Sequence, residues 1–383
     1  MSFPQPILRR YMPELDSLRG LAVLLVLLFH GIAPPLSPNW SHAERILIAV
    51  SGYAWVGVNL FFVLSGFLIT GILIDSKNDA HYYSGFYARR AFRILPALWC
   101  MLLVLVISAR IDWRFFGLSA FFLANFAPLL GVTLQYGPLW SLAVEEHFYL
   151  LWPAAVRNLQ RRTWIGIAVF IILATPVLRW LGYVHAGRPA GWVSLYTWCN
   201  LDGLALGALL AISVRAPNFR REHLARVAFP LLLVGFAGCV LSAQSLRGIA
   251  LLLSSACNIA ALGLISCALL IGTTERKAFV DRPVLRFFGW LSYGLYLVHV
   301  FAFYVIDIAF GRGWSLLRQS NNPVVAMLLR FALGSALAIA LAFLSRRSLE
   351  TKFLAIGAPY RSRPDTPGES ASAKARHHEL AEK

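Results

Sequence analysis

The sequence predicts an all-α fold, a polytopic bundle of membrane-spanning helices. Of its 383 residues, 58% are hydrophobic and only 14% are charged, whereas soluble domains carry about 25% charged residues. The apolar runs are long and continuous, without the alternating ten-residue segments of a membrane barrel. We therefore expect one membrane domain over residues 1–353. Pro, Ser, Gly, Glu and Lys dominate the end of the chain, so we expect 354–383 to form a disordered cytoplasmic tail.

Ten apolar runs are long enough to cross a bilayer: about 18–36, 54–75, 91–109, 138–156, 163–183, 193–214, 227–243, 248–272, 285–310 and 323–345. With ten crossings, the Arg and Lys clusters that flank these runs all lie on one side, as the positive-inside rule requires. A further apolar stretch, 115–133, contains Asn125 and Pro128, and its crossing would move every later cluster to the other side. We therefore expect about ten spans in the plasma membrane, both termini cytoplasmic, and a re-entrant or interfacial 115–133.

Composition also excludes several classes of protein. The five cysteines are scattered and form no CxxC or Cys/His spacing, so we expect neither a disulfide scaffold nor a metal site. The net charge of +17 is accounted for by basic cytoplasmic loops, and we expect no nucleic-acid partner. Arg19 and His30 interrupt the first apolar run, which favours a retained helix over a cleavable signal peptide.

Arg19 and His30 share a helix face, because eleven residues at about 100° each return close to the starting direction. They lie roughly 16 Å apart along the helix axis, one near a membrane surface and the other deep inside. Ionisable groups at such a depth are costly and usually line a cavity used for chemistry or transport.

Four further ionisable residues are predicted at a depth similar to that of His30. Counting residues from the helix ends places His30, Glu145, Glu146, Asp202 and His299 roughly 9 to 13 Å below the outer surface. Such groups either pair with one another to hold the bundle together or act as acids and bases. For His30 and one glutamate we favour acid–base chemistry. For His299, a structural role and acceptor binding are both open.

Arg90 and Arg93 form a second cluster, at the cytoplasmic mouth of the third run. Three residues apart, they share a helix face and could clamp a phosphate between them. Taken alone, they would be ordinary positive-inside arginines. Arg19 is expected at the same level, and three converging arginines favour an anionic ligand from the cytoplasm.

The run around Glu145 is too polar for a passive span. Ser141 and Tyr149 each lie four residues from Glu145 and share its face. Trp140 fits an aromatic belt at the interface. We take Trp140, Ser141 and Tyr149, together with Asp202 and His299, as candidate substrate-binding residues.

Five motifs occur in order along the chain: Leu15–Ala22 followed by His30, Gly57–Phe67, Arg90–Pro96, Trp140–Leu142 followed by Glu145 and Phe148–Tyr149, and Ser292–His299. In these segments the chain resembles the acyltransferase-3 family of integral membrane O-acyltransferases, which modify surface sugars, exopolysaccharides and some macrolides. The resemblance extends to about residue 353 and makes 1–353 an expected acyltransferase domain. Asn200 stands where the family often has arginine, and Thr351 follows Glu350 where proline is frequent.

The resemblance implies an acyl-CoA donor, with acetyl-CoA expected, that acts as a co-substrate from the cytoplasm rather than as a bound cofactor. It also implies an acceptor hydroxyl on a glycan or a secreted metabolite. Arg19, Arg90 and Arg93 would bind the donor. His30 would be the general base, with Glu145 as the second catalytic residue that fixes its tautomer. Direct transfer and an acyl-histidine intermediate both remain open.

The alternative function is a proton-coupled membrane transporter. A layer of His, Glu and Asp in the middle of a membrane is also what a proton relay uses. We find no inverted repeat and no matching pair of broken helices, which favours the enzyme.

Overall fold

The all-α fold predicted from the sequence is confirmed by a computed structural model. It describes residues 7–9, 11–32, 41–185, 195–244, 252–274, 277–278, 280–311 and 323–357, and within them all regular secondary structure is helical. Most of the expected tail, 358–383, lies outside the described residues.

The described helices are α1 (Pro13–Gly31), α2 (His42–Tyr53), α3 (Val56–Asp75), α4 (Tyr82–Ile107), α5 (Trp113–Ala120), α6 (Leu139–Asn158), α7 (Arg161–His185), α8 (Leu201–Val214), α9 (Arg221–Ser242), α10 (Ser254–Ile271), α11 (Pro283–Phe310), α12 (Pro323–Ser345) and α13 (Thr351–Ile356). Short 3₁₀ helices cover Ala124–Leu130 and Thr197–Cys199, and a π-helical turn covers Arg346–Glu350.

Seven helical stretches of the described chain are long and apolar enough to cross a membrane, with α2 and α3 counted as one. The other three predicted spans coincide with α1, α6 and α8. Helix α1 carries Glu14, Asp16 and Arg19, α6 carries two adjacent glutamates, and α8 has only 14 residues. The chain is a multi-pass membrane protein, and the count of ten spans stays a prediction.

The ambiguous stretch after α4 folds into α5 and the first 3₁₀ helix. The eight residues of α5 extend about 12 Å, far less than the roughly 30 Å of a hydrocarbon core. Asp112 caps α5, because its carboxylate accepts hydrogen bonds from the Phe115 amide at 2.8 Å and from the Gln135 side chain at 2.6 Å. Those two donors lower the pKa of Asp112. As predicted, this stretch does not cross as one helix.

Helices α1 and α11 touch through their backbones. A Cβ atom built on Gly20 would lie 1.9 Å from the Leu285 carbonyl oxygen, and one on Gly289 would lie 1.9 Å from the Asp16 carbonyl oxygen. Small residues permit such close approach between membrane helices. The contact is reciprocal, so it fixes both the spacing and the register of the two helices.

Two other helix pairs use the same arrangement. Gly66 and Gly207 bring α3 against α8, and Gly235 and Gly263 bring α9 against α10. On each of these glycines a Cβ atom would come within 2.0 to 2.3 Å of the partner backbone. Three closely packed helix pairs, α1 with α11, α3 with α8 and α9 with α10, therefore form the rigid frame that carries the polar residues.

Candidate active site

Facing polar residues of α1 and α11 form the first part of the site. Arg19 Nη2 donates a hydrogen bond to Ser292 Oγ at 3.1 Å. Further along the same two helices, His30 Nδ1 lies 3.2 Å from His299 Nε2. The shared face of Arg19 and His30 is thus directed at α11, where Ser292 and His299 are seven residues apart and also share a face.

The hydrogen bonds of the two histidines define their tautomers. His299 Nδ1 lies 2.6 Å from the Tyr296 carbonyl oxygen, which can only accept, so this nitrogen carries the proton. His299 Nε2 is then an acceptor, and His30 Nδ1–H is shared between it and the Val26 carbonyl oxygen at 3.1 Å. In neutral His30 the lone pair therefore lies on Nε2, and no hydrogen bond to this nitrogen is found within the described ranges. The network thus selects the tautomer in which Nε2 is the available base.

Tyr296 connects the histidine pair to α6. Its hydroxyl is hydrogen-bonded to Ser141 Oγ, and its ring centroid is 5.7 Å from that of His299. Ser141, a predicted substrate-binding residue, therefore lies one side chain away from the histidines. Trp140 is turned aside, with its ring 6.1 Å from that of Phe62.

Glu145 lies on the arginine side of the site rather than beside His30. Its Oε1 accepts a hydrogen bond from Ser65 Oγ at 2.8 Å, and Arg19 and Arg90 are within electrostatic range. No contact between Glu145 and His30 is found among the residues that the structure describes. In this structure His299 and Val26, rather than Glu145, contact the Nδ1 nitrogen whose proton defines the His30 tautomer.

The three predicted arginines come together. Arg93 lies within electrostatic range of Arg19 and Arg90. The Arg90 guanidinium lies 3.4 Å from the ring centroid of Tyr149 and 3.5 Å from Glu146 Oε1.

The expected separation between an arginine mouth and a deeper glutamate layer is wrong for Arg90 and Glu146. Helix α4 begins at Tyr82, whereas the predicted span begins at 91. Arg90 is therefore about 12 Å inside its helix rather than at its end.

Arg346 is a residue that the sequence reasoning counted only as a loop charge. Its Nη1 donates to Glu350 Oε2 at 2.7 Å, across the π-helical turn, and its charge is within range of Arg19 and Arg93. The i,i+4 spacing of Arg346 and Glu350 at the end of an apolar helix was the available signal.

Asp202 belongs to a different network. It forms a 2.6 Å ion pair with Arg179, in which both side chains are at most 3% exposed, and it accepts from Ser255 Oγ at 2.6 Å. Arg179 also donates to the Cys199 carbonyl oxygen at 2.6 Å. This network ties α7, α8 and α10 together. Asp202 and the histidines are predicted at the same depth in the membrane, but they are not adjacent, since depth does not define the position of a helix around the bundle.

In the described ranges no cluster of His, Cys, Asp or Glu could hold a metal ion.

Residues 12–347 match the family model of the acyltransferase-3 group, described as an acyltransferase domain. The chain belongs to this family. The match supports an acyltransferase rather than the transporter alternative.

Curated relatives agree with this assignment. Peptidoglycan O-acetyltransferase OatA of Listeria monocytogenes is 28% identical over 76% of this chain and 49% of its own length. The provisionally named peptidoglycan O-acetyltransferase YrhL of Bacillus subtilis is also 28% identical, over 76% and 48%. A provisionally named O-acetyltransferase of Staphylococcus aureus is 26% identical, over 90% and 57%. The chain spans about half the length of these relatives. No solved structure matches it.

Proposed function

We propose that the chain transfers an acyl group, with acetyl as the expected group, from acyl-CoA to a hydroxyl of a glycan, using His30 as general base. The donor would bind from the cytoplasmic side of the plasma membrane, where we also assign both termini. The names of the relatives support acetyl transfer to a glycan.

The observation that carries this proposal is the free Nε2 of His30. An acceptor hydroxyl gives its proton to this nitrogen as its oxygen attacks the thioester carbonyl carbon. The carbon–sulfur bond then breaks, and the imidazolium returns the proton to the departing thiolate. His299 acts as a positioning residue, because it accepts the His30 Nδ1–H bond and so keeps Nε2 turned toward the reactants.

The arginine cluster supports an anionic donor. Arg93 forms no ion pair within the described part of the chain, although Arg19, Arg90 and Arg346 all lie within range of it. Clustered cations repel one another, and phosphate groups relieve that repulsion through charge-assisted hydrogen bonds. We assign Arg19, Arg90 and Arg93 to the CoA phosphates, with Arg346 beside them.

The remaining predicted site residues receive different roles. Ser141 is assigned to the acceptor side, since it is joined through Tyr296 to the histidine pair. Tyr149 supports Arg90 through its ring. Glu145 is assigned to the electrostatics of the arginine cluster. Asp202 is assigned to helix packing.

Purified protein in lipid vesicles, supplied with acetyl-CoA and an alkyl glucoside as the glycan acceptor, tests the proposal. We expect His30→Ala to lower acceptor-dependent CoA release by about 10² to 10⁴, the usual contribution of a general base. Arg93→Ala should mainly raise the KM for acetyl-CoA. His223→Ala, at an exposed position on α9, is the matched control and should retain full activity. A folded His30→Ala variant with normal transfer would refute the assignment.

A further inference from the structure

A cavity of about 250 Å³ lies between α4, α6 and the segment that follows α5. Its inner wall carries polar groups, Arg90, Glu146 and His147. Its rim carries Phe121 and Leu150, which are 78% and 62% exposed. The cavity is therefore polar inside and apolar at its opening.

Two buried polar atoms at this cavity lack hydrogen bonds. Glu146 Oε1 and Arg90 Nε have no hydrogen-bond partner within the described residues, and their side chains meet only at 3.5 Å through another nitrogen of Arg90. Buried polar groups are normally satisfied, because leaving one without a partner costs about 1 to 3 kcal/mol. A ligand hydroxyl could donate to this carboxylate oxygen.

The backbone of the cavity wall is strained. Phe122 adopts a left-handed φ of 58°, which is uncommon for a bulky residue and occurs most often at binding sites. Phe121 and Phe122 both line the cavity.

Leu150 is the twelfth of the 20 residues of α6. With α6 as the expected span, Leu150 lies near the middle of the bilayer and the opening faces lipid. An apolar side chain exposed at that depth contacts acyl chains, and a strongly hydrated molecule cannot approach through them. The cavity is also slightly smaller than the roughly 300 to 1,000 Å³ typical of small-molecule sites. It suits one polar head group whose apolar tail stays in the membrane.

We propose that this cavity is a lateral binding site for a lipid-linked acceptor, a sugar or similar hydroxyl compound carried on an apolar tail. The hydroxylated head donates to Glu146, and the tail passes between Phe121 and Leu150 into the bilayer. This assignment rests on the proposed function, since it names the class of acceptor that the enzyme uses.

A pair of neighbouring substitutions tests the site. Leu150→Trp narrows the opening, whereas Leu151→Trp adds the same ring at a position that is 71% exposed and outside the cavity lining. In vesicles, Leu150→Trp should raise the KM for dodecyl glucoside by at least about tenfold, or 1.4 kcal/mol. It should leave the KM for acetyl-CoA unchanged. Leu151→Trp should match the wild type throughout. Equal kinetics of the two variants with dodecyl glucoside would overturn the proposal.

Photolabelling separates this proposal from the proposed function. Dodecyl glucoside with a diazirine in its tail should label peptides of α4 and α6 in the wild type, and unlabelled dodecyl glucoside should compete. Competition by phosphatidylglycerol to the same extent would identify an ordinary bilayer lipid and overturn the lateral acceptor site. Correct labelling without any acetyl-CoA turnover would refute the proposed function and leave the binding site intact.

Discussion

Replacing Gly20 with alanine should separate the two helices that hold the histidine pair. The new Cβ atom would lie 1.9 Å from the Leu285 carbonyl oxygen, while ordinary contacts begin at 3.4 Å. The obstacle is backbone within a helix, so it cannot rotate away as a side chain would. We therefore expect α1 and α11 to move apart by about 1.5 Å at this point.

This displacement should reach the candidate base. His30 and His299 each lie ten residues beyond the glycine contact, which is about 15 Å along both helices. Their nitrogen–nitrogen distance is already 3.2 Å, so an added ångström breaks the bond. Because a misplacement of about 1 Å costs roughly 10² in rate, kcat should fall about a hundredfold. Overpacking should also lower the free energy of unfolding by about 1 to 3 kcal/mol.

The assay compares kcat for acetyl transfer with thermal unfolding in the same detergent. Gly166→Ala is the control, since its Cβ atom would meet nothing within 4 Å and alanine favours a helix by about 0.5 to 1 kcal/mol. It should keep full activity and lose no stability. A Gly20→Ala protein with wild-type kcat and an unchanged Tm would refute the coupling of helix spacing to the site.

Two other predictions concern the frame. Asp202→Leu leaves Arg179 buried without its carboxylate, so the free energy of unfolding should fall by about 3 to 5 kcal/mol, measured by thermal unfolding. Asp75→Leu removes a carboxylate that is 62% exposed and should cost less than about 1 kcal/mol; equal losses would contradict the burial argument. The sulfurs of Cys239 and Cys257 lie 3.3 Å apart, so a thiol oxidant should link α9 to α10 without added cross-linker, and mass spectrometry should detect the disulfide. Two free thiols after treatment would contradict that geometry.

Periodicity along single helices was the most informative part of the sequence. It placed Arg19 and His30 on one face, and both contact α11 in the structure. Clustered charge likewise predicted that Arg90 and Arg93 would lie near Arg19. These inferences needed only the geometry of one helix or the sidedness of the membrane.

The contacts between residues on different helices could not be predicted from the sequence. Because α4 begins at Tyr82, Arg90 lies further inside the helix and next to Glu146. No apolar run in the sequence marks these amphipathic first turns. Asp202 pairs with Arg179 rather than with the histidines, because the depth of a residue in the membrane does not determine the order of helices around a bundle. The partner of His30 is His299, which was assigned only a structural or acceptor-binding role.

The backbone contact between α1 and α11 also limits how substrates enter. Helices α1 and α11, which touch at Gly20 and Gly289, cannot slide or rock against each other without a steric collision. They therefore form a rigid pair. The contacts between α4 and α6 are of another kind, since the Tyr82 and Tyr87 hydroxyls donate to carbonyl oxygens across the gap at 3.0 and 2.8 Å. Breaking such a bond costs about 1 to 3 kcal/mol, which is far less than forcing two helix backbones to overlap. We expect any breathing motion that admits a bulky molecule to occur at α4 and α6, leaving the histidine pair stationary.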